Sequence, residues 1–128
     1  MSGIVKISPG LVAFLQGKDG TLMPFAKELV VLECQIAGTS HLDLEAVEPS
    51  LNIGDKFLLL REPENEFDRF AVAIYTAEKV KLGFLPMNRN ESTARLLDAG
   101  KLLFAVLETK EWRDEWLKLS IKVNYIDR

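Results

Sequence analysis

Cysteine, histidine and long apolar runs are scarce in this chain of 128 residues, and each absence excludes a class of protein. One cysteine cannot form an intramolecular disulfide, and one cysteine with one histidine cannot complete a structural zinc site within a chain. No apolar stretch reaches the roughly 18 residues that a membrane-spanning helix needs. Residues 11–15 are too short for a signal-peptide core. We therefore expect a cytoplasmic protein without a membrane span.

Motifs of enzymes and cofactor sites are also missing. The chain has no Gly-x-x-x-x-Gly-Lys-Ser/Thr phosphate loop and no evident Ser-His-Asp or Cys-His arrangement. The acidic run from Glu62 to Asp68 lacks the central glycine and the closing glutamate of a calcium loop. Cys34 falls in an apolar run, which is typical of a buried, inert thiol. We predict a protein that is not an enzyme and has no metal or cofactor.

The composition indicates one ordinary globular domain. Hydrophobic residues make up 48% and charged residues 27% of the chain, which is long enough to bury a single core. The net charge of −3 argues against strong non-specific binding to duplex DNA, because such binding depends on neutralising phosphates.

Six short segments have the composition or alternation of β-strands. They are residues 29–37, 56–60, 70–75, 80–84, 102–107 and 117–126. In the first, we expect Val30, Leu32, Cys34 and Ile36 to share one face. A charged connection, residues 108–115, separates the last two.

Two short helices are predicted beside these strands. One covers residues 9–16, after Ser8, and the other begins with Asn88 as its cap and Glu91 three residues later, ending at Gly100. A sheet of this size usually avoids exposed edges by curling into a small barrel, although a split sheet would also satisfy the pattern. We therefore predict a mostly-β fold.

A polar loop between two apolar strands is the best candidate for a site. Pro63 removes a backbone donor, and the side chains of Asn65 and Asp68 can bond their own backbone, so the segment from Arg61 to Arg69 should be ordered. A rigid scaffold typically presents functional residues on such a loop.

The chain resembles the HIRAN domain in five motifs that follow one another in order. These are Gly54-Asp55, Arg61-Glu62-Pro63, Asn65-x-Phe67-Asp68, Ala71-Val72-Ala73-Ile74 and Leu82-Gly83-Phe84-Leu85-Pro86. The likeness is to the stand-alone bacterial type and assigns residues 25–128 to the domain. Residues 1–24 would be an N-terminal extension packing on it. The resemblance implies a small six-stranded barrel of the OB or SH3 kind that grips the 3′ end of single-stranded DNA.

The resemblance also implies a set of DNA-binding residues. In the family, the ring of the Asn-x-aromatic-Asp loop stacks on the terminal base and its carboxylate accepts the terminal hydroxyl, although Asn65 and Asp68 could instead only hold the loop. A basic residue is expected at Met87, where the nearest cation is Arg89. An arginine and an aromatic residue are expected after Gly38, where only a histidine ring remains. The predicted contacts are His41, Asn65, Phe67, Asp68, Phe84, Met87, Arg89 and Trp116. Trp116 is not part of the resemblance but an alternative stacking surface, although a Trp that opens an alternating strand is more often a core residue.

The function that follows is binding of single-stranded DNA at a free 3′ end without catalysis. A protein partner such as a DNA-repair ATPase is also expected. The alternative is a protein-interaction module that keeps the barrel and has lost the DNA pocket. The two differ in salt dependence, because counterion release weakens DNA binding as salt rises.

Overall fold

Alternating and continuous apolar segments form six antiparallel strands in the computed structural model, which describes residues 27–39 and 44–127. The strands are β1 (Lys27–Gln35), β2 (Lys56–Arg61), β3 (Val72–Tyr75), β4 (Lys81–Phe84), β5 (Leu102–Arg113) and β6 (Trp116–Asp127). The N-terminal extension, its expected helix and His41 lie outside the described residues.

The six strands form one sheet that curls into a half-barrel. Their order is β1-β6-β5-β2-β3-β4, and every pairing is antiparallel. The segment after β1 meets β4 at one isolated bridge. The amide of Ala37 donates to the carbonyl of Phe84 at 2.8 Å, and the amide of Phe84 donates to the carbonyl of Ala37 at 2.9 Å. The predicted mostly-β fold, a small curled barrel with one or two short helices, is confirmed.

Gly83 permits this closure. A Cβ atom at this position would lie 2.3 Å from the carbonyl oxygen of Ala37 and 2.7 Å from Cγ2 of Ile36. Its φ of +153° is also one that other residues rarely adopt. The backbones of β4 and the segment after β1 therefore touch only because residue 83 has no side chain.

The core fills the concave side of the curled sheet. Its members come from every strand and from the helix after β4, and Phe57, Ile74, Leu82, Leu107 and Ile121 are each at most 1% exposed. A second, smaller cluster consists of Leu58, Phe104 and Ile126. Strand residues thus bury apolar side chains on both sides of the sheet, which explains why β2 reads as a continuous apolar run.

Two short helices occur in the described part of the chain. Helix α1 (Leu44–Val47) continues into a 3₁₀ turn at Glu48–Ser50, and α2 (Glu91–Asp98) follows a 3₁₀ turn at Met87–Arg89. None of the helices within the described ranges is long and apolar enough to cross a membrane.

The structure corrects the predicted helix start. Asn88 lies in the 3₁₀ turn, and Asn90 is the residue at the cap position of α2. The side chain of Asn90 makes no cap hydrogen bond, because it is used in a contact with the loop between β2 and β3.

The structure also corrects two predictions about strands. The charged residues 108–113 are not a connection but continue β5, which pairs with β6 from Leu102 to Arg113. In β1 a register shift between Val30 and Leu32 places Val30 on the opposite face, where it is 54% exposed. Alternation cannot reveal such a bulge, because one extra residue inverts the pattern.

Candidate nucleic-acid interface

Asn65 fixes the shape of the loop between β2 and β3. Its Oδ1 atom accepts hydrogen bonds from the amides of Phe67 at 2.9 Å and Asp68 at 3.1 Å, while its Nδ2 donates to Glu62 at 3.2 Å. An asparagine that bonds the backbone two residues later is a common way of holding a tight turn without a regular element. The prediction of an ordered loop is borne out by these contacts.

Asp68 joins the loop to the start of α2. Its Oδ1 accepts from the amide of Phe70 at 2.8 Å, and its Oδ2 accepts from Nδ2 of Asn90 at 2.6 Å. Asn90 is 1% exposed, so the contact is shielded from water on one side. A carboxylate has about four lone-pair positions, which leaves Asp68 able to accept a further donor.

Arg61 holds the other arm of the same loop. Its guanidinium donates to the carbonyl of Ala71 at 2.6 Å, the carbonyl of Arg69 at 2.8 Å and the carboxylate of Asp98 at 2.9 Å. Its side chain is 11% exposed. The planar fork of arginine suits three acceptors in different directions, so Arg61 connects the backbone just before β3 with α2.

Phe67 projects from this fixed loop. Its side chain is 84% exposed although its own amide is hydrogen-bonded to Asn65. A large ring held in water by an ordered backbone contributes little to folding, and it is free to stack on a planar ligand.

Phe84 is less accessible than the loop ring. The ammonium of Lys81 lies 4.4 Å from its ring centroid and also forms an ion pair with Glu62 at 3.0 Å. Gly38 lies beside the ring, since a Cβ there would be 3.8 Å from Cδ2. A base could therefore stack on the face that Lys81 occupies only after Lys81 moves.

Met87 and Arg89 lie in the 3₁₀ turn between β4 and α2, on the segment that leads to Asn90. Met87 is 65% exposed, and Arg89 is exposed beside a cavity of about 430 Å³ that Cys34 also lines. Burial raises the pKa of Cys34 to about 11, against the smaller opposing effect of the Arg89 charge. The thiol is protonated at neutral pH, in agreement with the prediction of an inert cysteine.

Trp116 lies away from the loop, at the start of β6. It is 40% exposed, and its Nε1 donates to Thr39 at 3.0 Å, while the buried Thr39 hydroxyl donates to the carbonyl of Leu117 at 3.2 Å. The structure thus brings Asn65, Phe67 and Asp68 together in one loop and places Met87 and Arg89 on the segment that leads to its partner Asn90. Trp116 is instead hydrogen-bonded to Thr39, beyond the end of β1.

A model of the HIRAN domain family matches residues 29–125. The chain belongs to the HIRAN family. That family is known in nucleic-acid-binding contexts. A search of curated protein sequences found no match to this chain.

Two solved structures share the HIRAN fold of this chain. A Lactobacillus plantarum protein is 22% identical with a TM-score of 0.73, over 80% of this chain and 99% of its own. The HIRAN domain of human HLTF is 13% identical with a TM-score of 0.62, over 79% of this chain and 80% of its own. At these identities the likeness establishes the fold.

Two residues that shape this HIRAN loop cannot be identified from the sequence. Arg61 belongs to a motif of the resemblance, but nothing in the sequence indicates that its guanidinium bonds Ala71, Arg69 and Asp98. Asn90 lies within the predicted helix start between Asn88 and Glu91, and no local pattern connects it with Asp68, which lies 22 positions earlier. Within residues 27–39 and 44–127, no group of three or more His, Cys, Asp or Glu side chains could hold a metal ion.

Proposed function

We propose that this HIRAN domain binds single-stranded DNA at a free 3′ end. The observation that carries the proposal is an 84% exposed Phe67 ring on a loop whose backbone is fixed by Asn65. Asp68 follows directly in sequence. Two hydrogen bonds hold its carboxylate in place, and it can accept a further one. A ring for the terminal base and an acceptor for the terminal hydroxyl are therefore adjacent and ordered before any ligand arrives.

Preorganisation is what makes so small a site useful. Stacking contributes about 1–3 kcal/mol per base, and a hydrogen bond to a charged group contributes about 1.5–3 kcal/mol. A loop that is already ordered does not lose these gains to the entropy of ordering it. An end-recognition pocket can therefore work in a protein with a net charge of −3.

Phe67→Ala tests the stacking role. We expect affinity for a short single-stranded oligonucleotide to fall by about 1–3 kcal/mol, measured by fluorescence anisotropy. The melting temperature should not change, because the ring is 84% exposed. Trp112→Ala is the matched control, since it removes a 42% exposed aromatic ring from the β5–β6 hairpin. Equal losses in the two variants would contradict a specific role for Phe67.

Met87→Lys tests whether the segment beside the loop faces the phosphate backbone. Met87 is 65% exposed, so the change should cost little stability. We expect affinity to rise by about 1 kcal/mol at low salt, and log affinity to fall more steeply with log salt, by about 0.7 for one phosphate. Ile53→Lys adds the same charge at a 60% exposed position near the opposite end of β2. If Met87→Lys changes neither affinity nor slope, the turn at Met87–Arg89 does not face the phosphate backbone.

The β1 edge favours a second candidate, a protein-interaction module. Leu29, Val30 and Val31 are consecutive and 47%, 54% and 40% exposed. Among the described strands only β6 pairs along β1, so no described strand pairs with its other edge before the bridge at Ala37. Open apolar edges can accept a strand from a partner, such as a DNA-repair ATPase. Binding that is insensitive to salt would favour this candidate over DNA.

A further inference from the structure

Several cations in the described part of the chain are paired with a carboxylate. Pairs of 4.0 Å or less involve Arg61, Lys81, Arg95, Lys110, Arg113 and Lys122. Arg69, beside the candidate site, is exposed and takes part in none of the ion pairs found among the described residues. Its charge is therefore available to a ligand.

Arg69 shares an aromatic ring with a second arginine. Its guanidinium carbon lies 4.8 Å from the centroid of Phe70, and that of Arg95 lies 5.2 Å from the same centroid. Two side chains from different elements, the loop and α2, thus meet on one ring. A guanidinium over an aromatic face uses its π-system there and keeps its in-plane N–H groups for an anion.

This pair of arginines is tied to the DNA loop. Arg69 follows Asp68 in sequence, and the amide of Phe70 donates to the Asp68 carboxylate at 2.8 Å. The carbonyl of Arg69 is held by Arg61 at 2.8 Å. The backbone that carries Arg69 and Phe70 is therefore fixed relative to the carboxylate that would accept a terminal hydroxyl.

We propose that Arg69 and Arg95 bind backbone phosphates of the single strand whose 3′ end lies at Phe67 and Asp68. This inference rests on the proposed function. It assigns the phosphate contact expected of a basic residue at position 87, which is Met87 in this chain, to Arg69 and Arg95. Arginine donates in a planar fork that matches a phosphate, and contact with Phe70 limits the freedom each side chain would lose on binding.

The surrounding acidic groups restrict the site to a short stretch of backbone. Arg95 bonds Glu91 through Nε at 2.8 Å, which occupies one of the five N–H donors of its guanidinium. Glu64 and Glu66 are exposed on the same loop and repel phosphates. Nearby Glu62 and Asp98 are each paired with a cation, Lys81 and Arg61 respectively. We therefore expect contacts to one or two phosphates rather than to a long tract.

Arg69→Gln and Arg95→Gln test the proposal, with Lys79→Gln as the matched control. Lys79 is also exposed, has no described carboxylate within ion-pair distance, and lies in the β3–β4 turn at the opposite end of β3 from the loop. Each arginine variant should weaken single-strand binding about tenfold and reduce the salt slope by about 0.7. The preference for a free over a blocked 3′ end should remain, and the control should match wild type.

Oligonucleotides with one neutral methylphosphonate linkage locate the contact. Wild type should lose affinity when the neutral linkage lies within the last few positions before the 3′ end, and Arg69→Gln should be insensitive at that linkage. If Arg69→Gln and Lys79→Gln have equal affinities and salt slopes while wild type still prefers free 3′ ends, the phosphate inference is wrong and the proposed function stands. A wild type that binds no single strand would overturn the proposed function together with it.

Discussion

Gly83→Ala is expected to destabilise the fold by about 3 kcal/mol. The new Cβ would lie 2.3 Å from the carbonyl oxygen of Ala37, which is fixed backbone and cannot rotate away. That carbonyl accepts the amide hydrogen bond of Phe84 at 2.9 Å, so the clash falls on the bridge that joins β4 to the segment after β1. Urea unfolding with linear extrapolation measures the change.

Gly100→Ala is the control for backbone conformation. Gly100 has a φ of +83°, but no atom lies within 4 Å of the position of its Cβ. This variant should cost only the conformational strain, about 1 kcal/mol. Equal losses at Gly83 and Gly100 would show that the strands do not approach as closely at the bridge as described.

Asp68→Ala should lower both stability and the affinity for free 3′ ends. Removal of the carboxylate takes away the hydrogen-bond acceptor of Nδ2 in Asn90, which is only 1% exposed. An unpaired buried donor of this kind costs about 1–3 kcal/mol of stability. If Asp68 accepts the terminal hydroxyl, affinity for a free 3′ end should fall at least about tenfold. Affinity for a blocked end should stay the same. Paired titrations and thermal unfolding give both quantities.

Asn90→Ala separates the two roles of Asp68. It removes the same hydrogen bond from the other partner but leaves the carboxylate in the loop. We expect a similar loss of stability with the preference for free 3′ ends retained. If both variants instead lose affinity equally on free and blocked oligonucleotides, Asp68 only shapes the loop, which is the alternative that the sequence left open.

The strands could be predicted because burial imposes a pattern on them. Residues 56–60 and 117–126 were located to within one residue at each end, since the core selects apolar side chains there. The extension of β5 from residue 108 to Arg113 could not be predicted, because burial does not select apolar side chains there. Beyond Leu107 that strand pairs only with β6 and is mostly exposed. Charged residues such as Glu108, Glu111 and Arg113 can therefore occupy it as readily as apolar residues.

The position of the candidate site could be predicted from the sequence, but the long-range hydrogen bonds that hold its loop could not. Turn-forming residues between two apolar strands identified the loop, and the resemblance supplied the roles of Phe67 and Asp68. The contacts that hold it, from Arg61 to Asp98 and from Asn90 to Asp68, join residues 37 and 22 positions apart. The meeting of Arg69 and Arg95 on Phe70 likewise depends on where α2 lies against the loop.

One titration tests the central claim most directly. Wild-type protein is titrated by fluorescence anisotropy against two single-stranded oligonucleotides of the same sequence, one with a free 3′ hydroxyl and one with that hydroxyl blocked. Recognition of the terminal nucleotide by Phe67 and Asp68 predicts tighter binding to the free end, by about 1.5–3 kcal/mol for one hydrogen bond to a carboxylate. It also predicts that both affinities fall as salt rises. Equal affinities for the two oligonucleotides would contradict recognition of a 3′ end.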